Sequence, residues 1–123
     1  MPKATIIVLS DPEGGEEAFG RVVNALAAAY DFKRSDRPVQ LVFQGTGTRW
    51  PTLLARPEHP AHRLYQAVAD TVAGASAGCA AVFGATEVLR REGLLSISDN
   101  PVPGTPGLPS LVEYVSDGPV LTF

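Results

Sequence analysis

The chain lacks the features that mark several large classes of protein. Its 123 residues include one cysteine and two lysines, and the formal net charge at pH 7 is −3. A single cysteine excludes an internal disulfide framework and is typical of a reducing compartment. Basic residues do not outnumber acidic ones, which argues against nucleic acid as a partner. No apolar run approaches the roughly 18 residues of a membrane span. We therefore expect a cytoplasmic protein that binds neither nucleic acid nor membrane.

Motifs for the common cofactors are also missing. No glycine-rich loop ends in Gly-Lys-Ser/Thr, so there is no Walker phosphate loop. A phosphate-accepting receiver domain needs a lysine late in the chain, and the only lysines are Lys3 and Lys33. The loop after the first predicted strand carries four acids, which would repel a flavin phosphate. The sequence predicts no cofactor.

What is present is the composition of a globular α/β domain. Hydrophobic residues make up 45% of the chain and charged residues 19%, and the length fits one domain, residues 1–123. Apolar runs predict strands at 4–9, 39–43, 74–78, 94–98 and 120–123. Helical spacing predicts helices near 19–30, 51–55, 64–72, 80–92 and 110–114. The alternation predicts a parallel sheet with right-handed crossovers.

Cys79 stands between a run of small residues, 74–78, and the start of a predicted helix. A thiol at a helix N-terminus lies beside unpaired backbone N–H groups and the positive end of the helix dipole. Both favour the nucleophilic thiolate. Free cysteine is also among the most commonly buried residues, as a small hydrophobic side chain. Both interpretations stay open at this point.

The topology of the sheet predicts where a ligand would bind. In open parallel sheets this is outside the carboxyl ends of the strands, where the strand order reverses. With a flavodoxin-like order, 2-1-3-4-5, the reversal lies between the first and third strands. Asp11 and Cys79 would then lie on facing sides of one crevice.

The same crevice has further candidate binding residues. The loop after the second strand carries Thr46, Thr48 and Trp50, and Ser76 precedes the cysteine. The alternatives are that the Thr-Gly-Thr segment is an ordinary turn and that Trp50 belongs to the core.

Two other features have both a functional and an ordinary interpretation. His59 and His62 could share a helical face near Cys79 as zinc ligands. Pro60 and the polar surroundings favour a solvated helix start instead, so we expect no metal site. The Pro/Gly-rich segment 100–109 could be a lid, an interface strap or a plain connection.

Four segments together resemble the DsrE family of sulfur-relay proteins. They are Gly-Ala-Ser-Ala-Gly-Cys-Ala-Ala-Val-Phe-Gly at 74–84, Ser-Asp-Pro-Glu-Gly-Gly at 10–15, Gly-Thr-Gly-Thr-Arg-Trp at 45–50, and Gly-Pro-Val-Leu-Thr-Phe at 118–123. The resemblance implies a three-layer, flavodoxin-like fold with a mainly parallel five-stranded sheet. It also implies a homo-oligomer, with trimers and hexamers common and a dimer possible, and a persulfide carried on Cys79.

One difference between this chain and the family limits the reactions that Cys79 could perform. Similar sequences often have a second cysteine where this chain has Ser76, and a lone thiol cannot cycle as a disulfide. We therefore expect a sulfur carrier or sulfurtransferase-like protein with a protein sulfur donor and acceptor, and leave enzymatic turnover open. The alternatives are a small-ligand-binding or regulatory module without turnover, and an oligomeric interaction protein in which Cys79 only packs.

Overall fold

The computed structural model describes all residues, 1–123, and contains five strands and six α-helices. The strands are β1 (Ala4–Val8), β2 (Val39–Phe43), β3 (Val72–Ser76), β4 (Ser96–Ile97) and β5 (Val120–Thr122). The helices are α1 (Gly15–Arg34), α2 (Trp50–Leu54), α3 (His62–Val68), α4 (Ala77–Val82), α5 (Thr86–Arg91) and α6 (Leu111–Asp117). Short 3-10 segments cover Gly45–Arg49 and Ala69–Thr71.

The five strands form one entirely parallel sheet in the order β4-β3-β2-β1-β5. Strand β1 lies between β2 and β5, with Ala4 opposite Val39 and Thr5 opposite Val120. Helices cover both faces of this sheet. The predicted three-layer α/β flavodoxin-like class with a five-stranded sheet is therefore confirmed.

The strand order 2-1-3-4-5, on which the expected crevice between Asp11 and Cys79 depends, is not the order found. The connections from β1 to β2, from β2 to β3 and from β3 to β4 all step in one direction across the sheet. Only the connection from β4 to β5 returns, to the other side of β1. The order therefore reverses between β1 and β5. Strand β2 separates β1 from β3, so Asp11 and Cys79 do not face each other across a switch point.

The two helical layers are unequal for the same reason. Right-handed crossovers that step in one direction place their helices on one face, and helices α1–α5 all contribute buried residues to a single 16-residue cluster there. Alternate residues of β1 divide between the faces: Ile6 and Val8 point to that cluster. Ile7 points to the opposite face with Val42 and Tyr114 of α6.

Three predicted elements near the cysteine differ from the structure. The predicted helix 64–72 ends at Val68, and the third strand lies at 72–76, two residues earlier than predicted. The predicted helix 80–92 is two short helices, because Gly84 adopts a left-handed conformation, φ +71°, which ends a helix. Cys79 therefore lies inside the first turn of α4.

Among the helices, none combines the length and the hydropathy that crossing a membrane requires.

Candidate functional site

Cys79 is fixed in place by the turn that joins β3 to α4. Ser76 ends β3 and caps α4: its backbone is extended, and its hydroxyl oxygen accepts a hydrogen bond of 3.2 Å from the Cys79 amide. Ser76 is fully buried, whereas Cys79 is half-buried and free. The side chain of Ser76 thus positions the cysteine backbone, which is the ordinary function of serine at an N-cap.

The segment 100–108, here called the strap, packs on the first turn of α4. Its ends are closed by two backbone hydrogen bonds between Asn100 and Leu108, 2.7 and 2.9 Å long. The carbonyl of Gly107 accepts a 2.8 Å hydrogen bond from the amide of Gly78. A Cβ at Gly78 would lie 2.6 Å from a methyl carbon of Leu108 and 3.0 Å from the carbonyl oxygen of Gly107, so a side chain here would have to displace part of the strap. The segment considered above as a lid or strap therefore holds the residue next to Cys79.

Arg49 connects three loops at this end of the sheet. Its Nε donates to the carbonyl of Phe83 at 3.3 Å, and its guanidinium lies 5.5 Å from the centre of the Phe83 ring. Its Nη1 is 3.7 Å from Oδ1 of Asp11. Phe83 is the C-cap of α4, the short helix whose first turn contains Cys79. Arg49 thus places a positive charge at the C-terminal end of that helix.

Asp11 is engaged mainly with its own loop. Its Oδ1 accepts a 2.9 Å hydrogen bond from the Glu13 amide, and the approach of Arg49 to the same oxygen is longer. Arg49 was not among the residues predicted to form the site. It lies in the loop after a buried strand and within the segment 45–50 that carries the family resemblance, and neither position distinguishes it from a surface arginine.

The other candidate binding residues tie the β2 loop to the β1 loop. Thr46 donates to the carbonyl of Leu9 at 3.2 Å, and the indole of Trp50 donates to the carbonyl of Ser10 at 2.8 Å. Thr48 is buried and donates within its own turn. Trp50, 2% exposed, belongs to the main core. The structure therefore uses these polar groups internally, as the turn and core interpretations propose.

The six candidate residues do not share a cavity. Five surface cavities are present, and none is lined by any of Asp11, Thr46, Thr48, Trp50, Ser76 or Cys79. The helical turn of Cys79 does pack against the 3-10 segment of the β2 loop. The site is consequently a surface cysteine on a tightly connected scaffold rather than a pocket.

The histidines have structural surroundings of their own. The sequence predicts a solvated helix start, but the ring of His59 lies 6.1 Å from that of Phe19 and 6.2 Å from that of Trp50. Burial, and next the positive charge of Arg56, lower the pKa of His59 below its usual 6.5. A ring nitrogen of His62 lies 2.8 Å from the carbonyl oxygen of Leu54. No three His, Cys, Asp or Glu side chains gather where they could hold a metal ion.

The fold and the site define a class: a flavodoxin-like α/β protein with one free, half-buried cysteine at the start of the helix after β3. Comparison of the chain with protein-family models, with curated proteins and with solved structures gives no match. We therefore infer function from the residues and contacts themselves.

Proposed function

We propose that this protein is a monothiol sulfur carrier, similar to the DsrE family, that holds a persulfide on Cys79 and passes it to a partner protein. The observation that carries the proposal is the position of Cys79: partly exposed, in the first turn of a capped helix, at the carboxyl end of a parallel strand. The sequence resemblance over four segments supports it. A cytoplasmic location, in which the thiol stays reduced, agrees with it.

The proposed reaction needs no oxidant. The thiolate of Cys79 attacks the outer sulfur of a donor persulfide, a new S–S bond forms on Cys79, and the donor leaves as a thiolate. An acceptor thiolate then attacks the outer sulfur of the new persulfide, and Cys79 leaves as a thiolate in turn. Ser76 cannot supply a second sulfur, so the cycle consists of transfer alone.

One positive side chain beside α4 is available to compensate part of the charge of a persulfide anion. The guanidinium of Arg49 is held by the carbonyl and ring of Phe83, the C-cap of α4. Asp11 offsets part of that charge from 3.7 Å. In the first turn of α4 the amides of Gly78 and Cys79 already donate within the chain. Arg49 is therefore the positive group that we assign to the proposed site.

Loading the folded protein with a low-molecular-weight persulfide tests the proposal. We expect intact-mass spectrometry to show one added sulfur atom on the native chain and none on Cys79→Ser. A thiol acceptor should then remove the added sulfur. A native cysteine that takes up no sulfur, and that iodoacetamide labels only after denaturation, would contradict the proposal and favour a packing role.

A second candidate function, self-association, has its own observation. Helix α6 exposes three large apolar side chains, Leu111, Val112 and Val115, which are 53%, 76% and 66% exposed. We propose that a second copy of the chain covers this surface, as a dimer or in a trimer or hexamer.

Sedimentation velocity tests the self-association proposal. Val112→Glu should shift the native assembly toward the monomer. Val82→Glu is the matched control, because Val82 is 72% exposed on α4, against the other face of the sheet. A monomeric native protein, or equal effects of the two variants, would contradict the assignment.

A further inference from the structure

The reversal of strand order marks a second position for a ligand, between β1 and β5 rather than at the strand that leads to the cysteine. Strands β1 and β5 are neighbours, but their helices, α1 and α6, lie against opposite faces of the sheet. This divergence leaves a crevice at the carboxyl ends of the two strands, which is where ligands bind in open α/β sheets. Two hydrogen bonds fix its floor: Phe123 N to Ile7 O, 2.8 Å, and Leu9 N to Phe123 O, 2.7 Å.

A cavity of about 190 Å³ is present at this place. It is lined by Leu9, Ser10, Arg21, Thr122 and Phe123. Strand β2 separates this β1–β5 cavity from the strand that leads to Cys79. The cavity therefore shares no lining residue with the proposed sulfur site.

The lining combines an apolar wall with one positive charge. Leu9, 46% exposed, and the half-buried Phe123 supply the wall. Arg21 reaches in from α1 and contacts Glu17 through one terminal nitrogen, Nη2. A guanidinium has five N–H donors, so this contact leaves others for a ligand. The exposed hydroxyl of Thr122 adds a donor at the end of β5.

We propose that the β1–β5 cavity binds a small organic monoanion with a short apolar part. The carboxylate lies at Arg21 and Thr122, and the apolar part lies against Leu9 and Phe123. Glu17 competes for the guanidinium, so a singly charged ligand suits the site better than a multiply charged phosphate.

Titration of the native protein, followed by the amide signals of a two-dimensional NMR spectrum, tests this proposal with benzoate as the probe. We expect saturable shifts at the ends of β1 and β5 and around Arg21. Benzamide, the neutral analogue of the same shape, should bind more weakly. Arg21→Gln should raise the Kd of benzoate about two- to fivefold, the effect of removing one exposed charge pair, and leave benzamide unchanged.

Two further variants make the test specific. Arg34→Gln is the matched control, since Arg34 is an exposed arginine in the last turn of the same helix. Glu17→Gln should lower the Kd of benzoate, because it frees Arg21. Equal binding of benzoate and benzamide, equal effects of Arg21→Gln and Arg34→Gln, or shifts elsewhere on the protein would overturn the proposal. Cys79→Ser should bind benzoate as the native chain does, so the outcome does not depend on sulfur chemistry.

Discussion

The two faces of the sheet differ in how much of the chain covers them. Helices α1–α5 bury one face in a cluster of 16 residues, whereas α6 covers the other face, where three buried residues, Ile7, Val42 and Tyr114, form the cluster. The difference arises from topology, because three crossovers in one direction use one face and a single return uses the other. One face thus contributes most of the stability, and the other is left with exposed apolar side chains.

The candidate functional features follow this asymmetry. The turn that carries Cys79 belongs to the five-helix face and is tied to its neighbours by Ser76, Arg49 and the strap. The exposed apolar residues that we assign to self-association lie on α6. The β1–β5 cavity lies where the two faces diverge. Chemistry, assembly and ligand binding are therefore proposed for three separate parts of the molecule.

The comparison of the faces is tested most strongly by Ile6 and Ile7, adjacent isoleucines of β1 that are 0% and 1% exposed and point to opposite faces. Ile6→Ala leaves a cavity within the large cluster, and we expect a loss of about 4–5 kcal/mol in the free energy of unfolding. Ile7→Ala should lose about 2–3 kcal/mol, because a single short helix can move to fill the space. Urea denaturation monitored by circular dichroism measures both values.

Equal losses for the two alanine variants would mean that α6 packs as firmly as the five helices opposite. A larger loss for Ile7 would reverse the comparison. Ile6→Val and Ile7→Val serve as conservative controls, each expected to cost about 0.5–1.5 kcal/mol.

Two N-cap serines, one on each face of the sheet, allow a second comparison of the faces with a smaller expected loss of stability. Ser76, fully buried, caps α4 at 3.2 Å, and the half-buried Ser110 caps α6 at 3.4 Å from the Glu113 amide. We expect Ser76→Ala to cost about 1–2 kcal/mol and Ser110→Ala about 0.5–1 kcal/mol of unfolding free energy. Replacement by glycine at either position should restore most of the loss, since glycine is a tolerated N-cap.

Ser76→Ala has a second readout, because its hydroxyl holds the Cys79 amide. The rate at which iodoacetamide alkylates Cys79 in the folded protein should change in Ser76→Ala and stay unchanged in Ser110→Ala. A greater loss of stability in Ser110→Ala than in Ser76→Ala would contradict the expected ranking of the two caps. An unchanged alkylation rate in Ser76→Ala would show that the Ser76 hydroxyl does not position Cys79.

The local sequence was sufficient to predict the strands that have a strong hydrophobic pattern. The second strand, 39–43, is confirmed as predicted, and the first differs by one residue, because both consist mainly of large or β-branched side chains. The third strand is displaced by two residues. Alanine, glycine and serine suit a strand, a turn or a helix start about equally, so neighbouring strands decide where such a segment pairs.

Strand order and the site contacts could not be predicted in the same way. The sequence of a strand–helix–strand connection does not reveal on which side of the sheet the next strand is added. The sequence therefore did not distinguish the strand order found from 2-1-3-4-5. Arg49 meets Phe83 across 34 residues, and Trp50 meets Ser10 across 40. Such contacts depend on the assembled fold. The position of Cys79 at the start of a helix could be predicted, because it depends on the local sequence.

Two tyrosines, the half-buried Tyr65 and the buried Tyr114, extend the comparison of the faces to alkaline pH, with the smallest expected effect. Burial, and next the charge of Glu92, raise the pKa of Tyr65 on the five-helix face above 10.0. Burial, and next the charge of Asp99, raise the pKa of Tyr114 on the other face above 10.0. Since the unfolded chain releases these protons first, both tyrosines stabilise the fold fully below pH 10, and this contribution is lost as the pH rises through their folded values.

Tyr65→Phe and Tyr114→Phe should each reduce the loss of stability above pH 10, because phenylalanine has no proton to release. Tyrosinate absorbance should show Tyr114 ionising while the remainder of the fold persists, since only α6 must move to admit water. Tyr65 packs edge-on against Phe43 under α3, with ring centres 6.5 Å apart, so its ionisation should accompany global unfolding. If Tyr65 ionised first, with α6 still in place, the five-helix face would be the less firmly closed of the two.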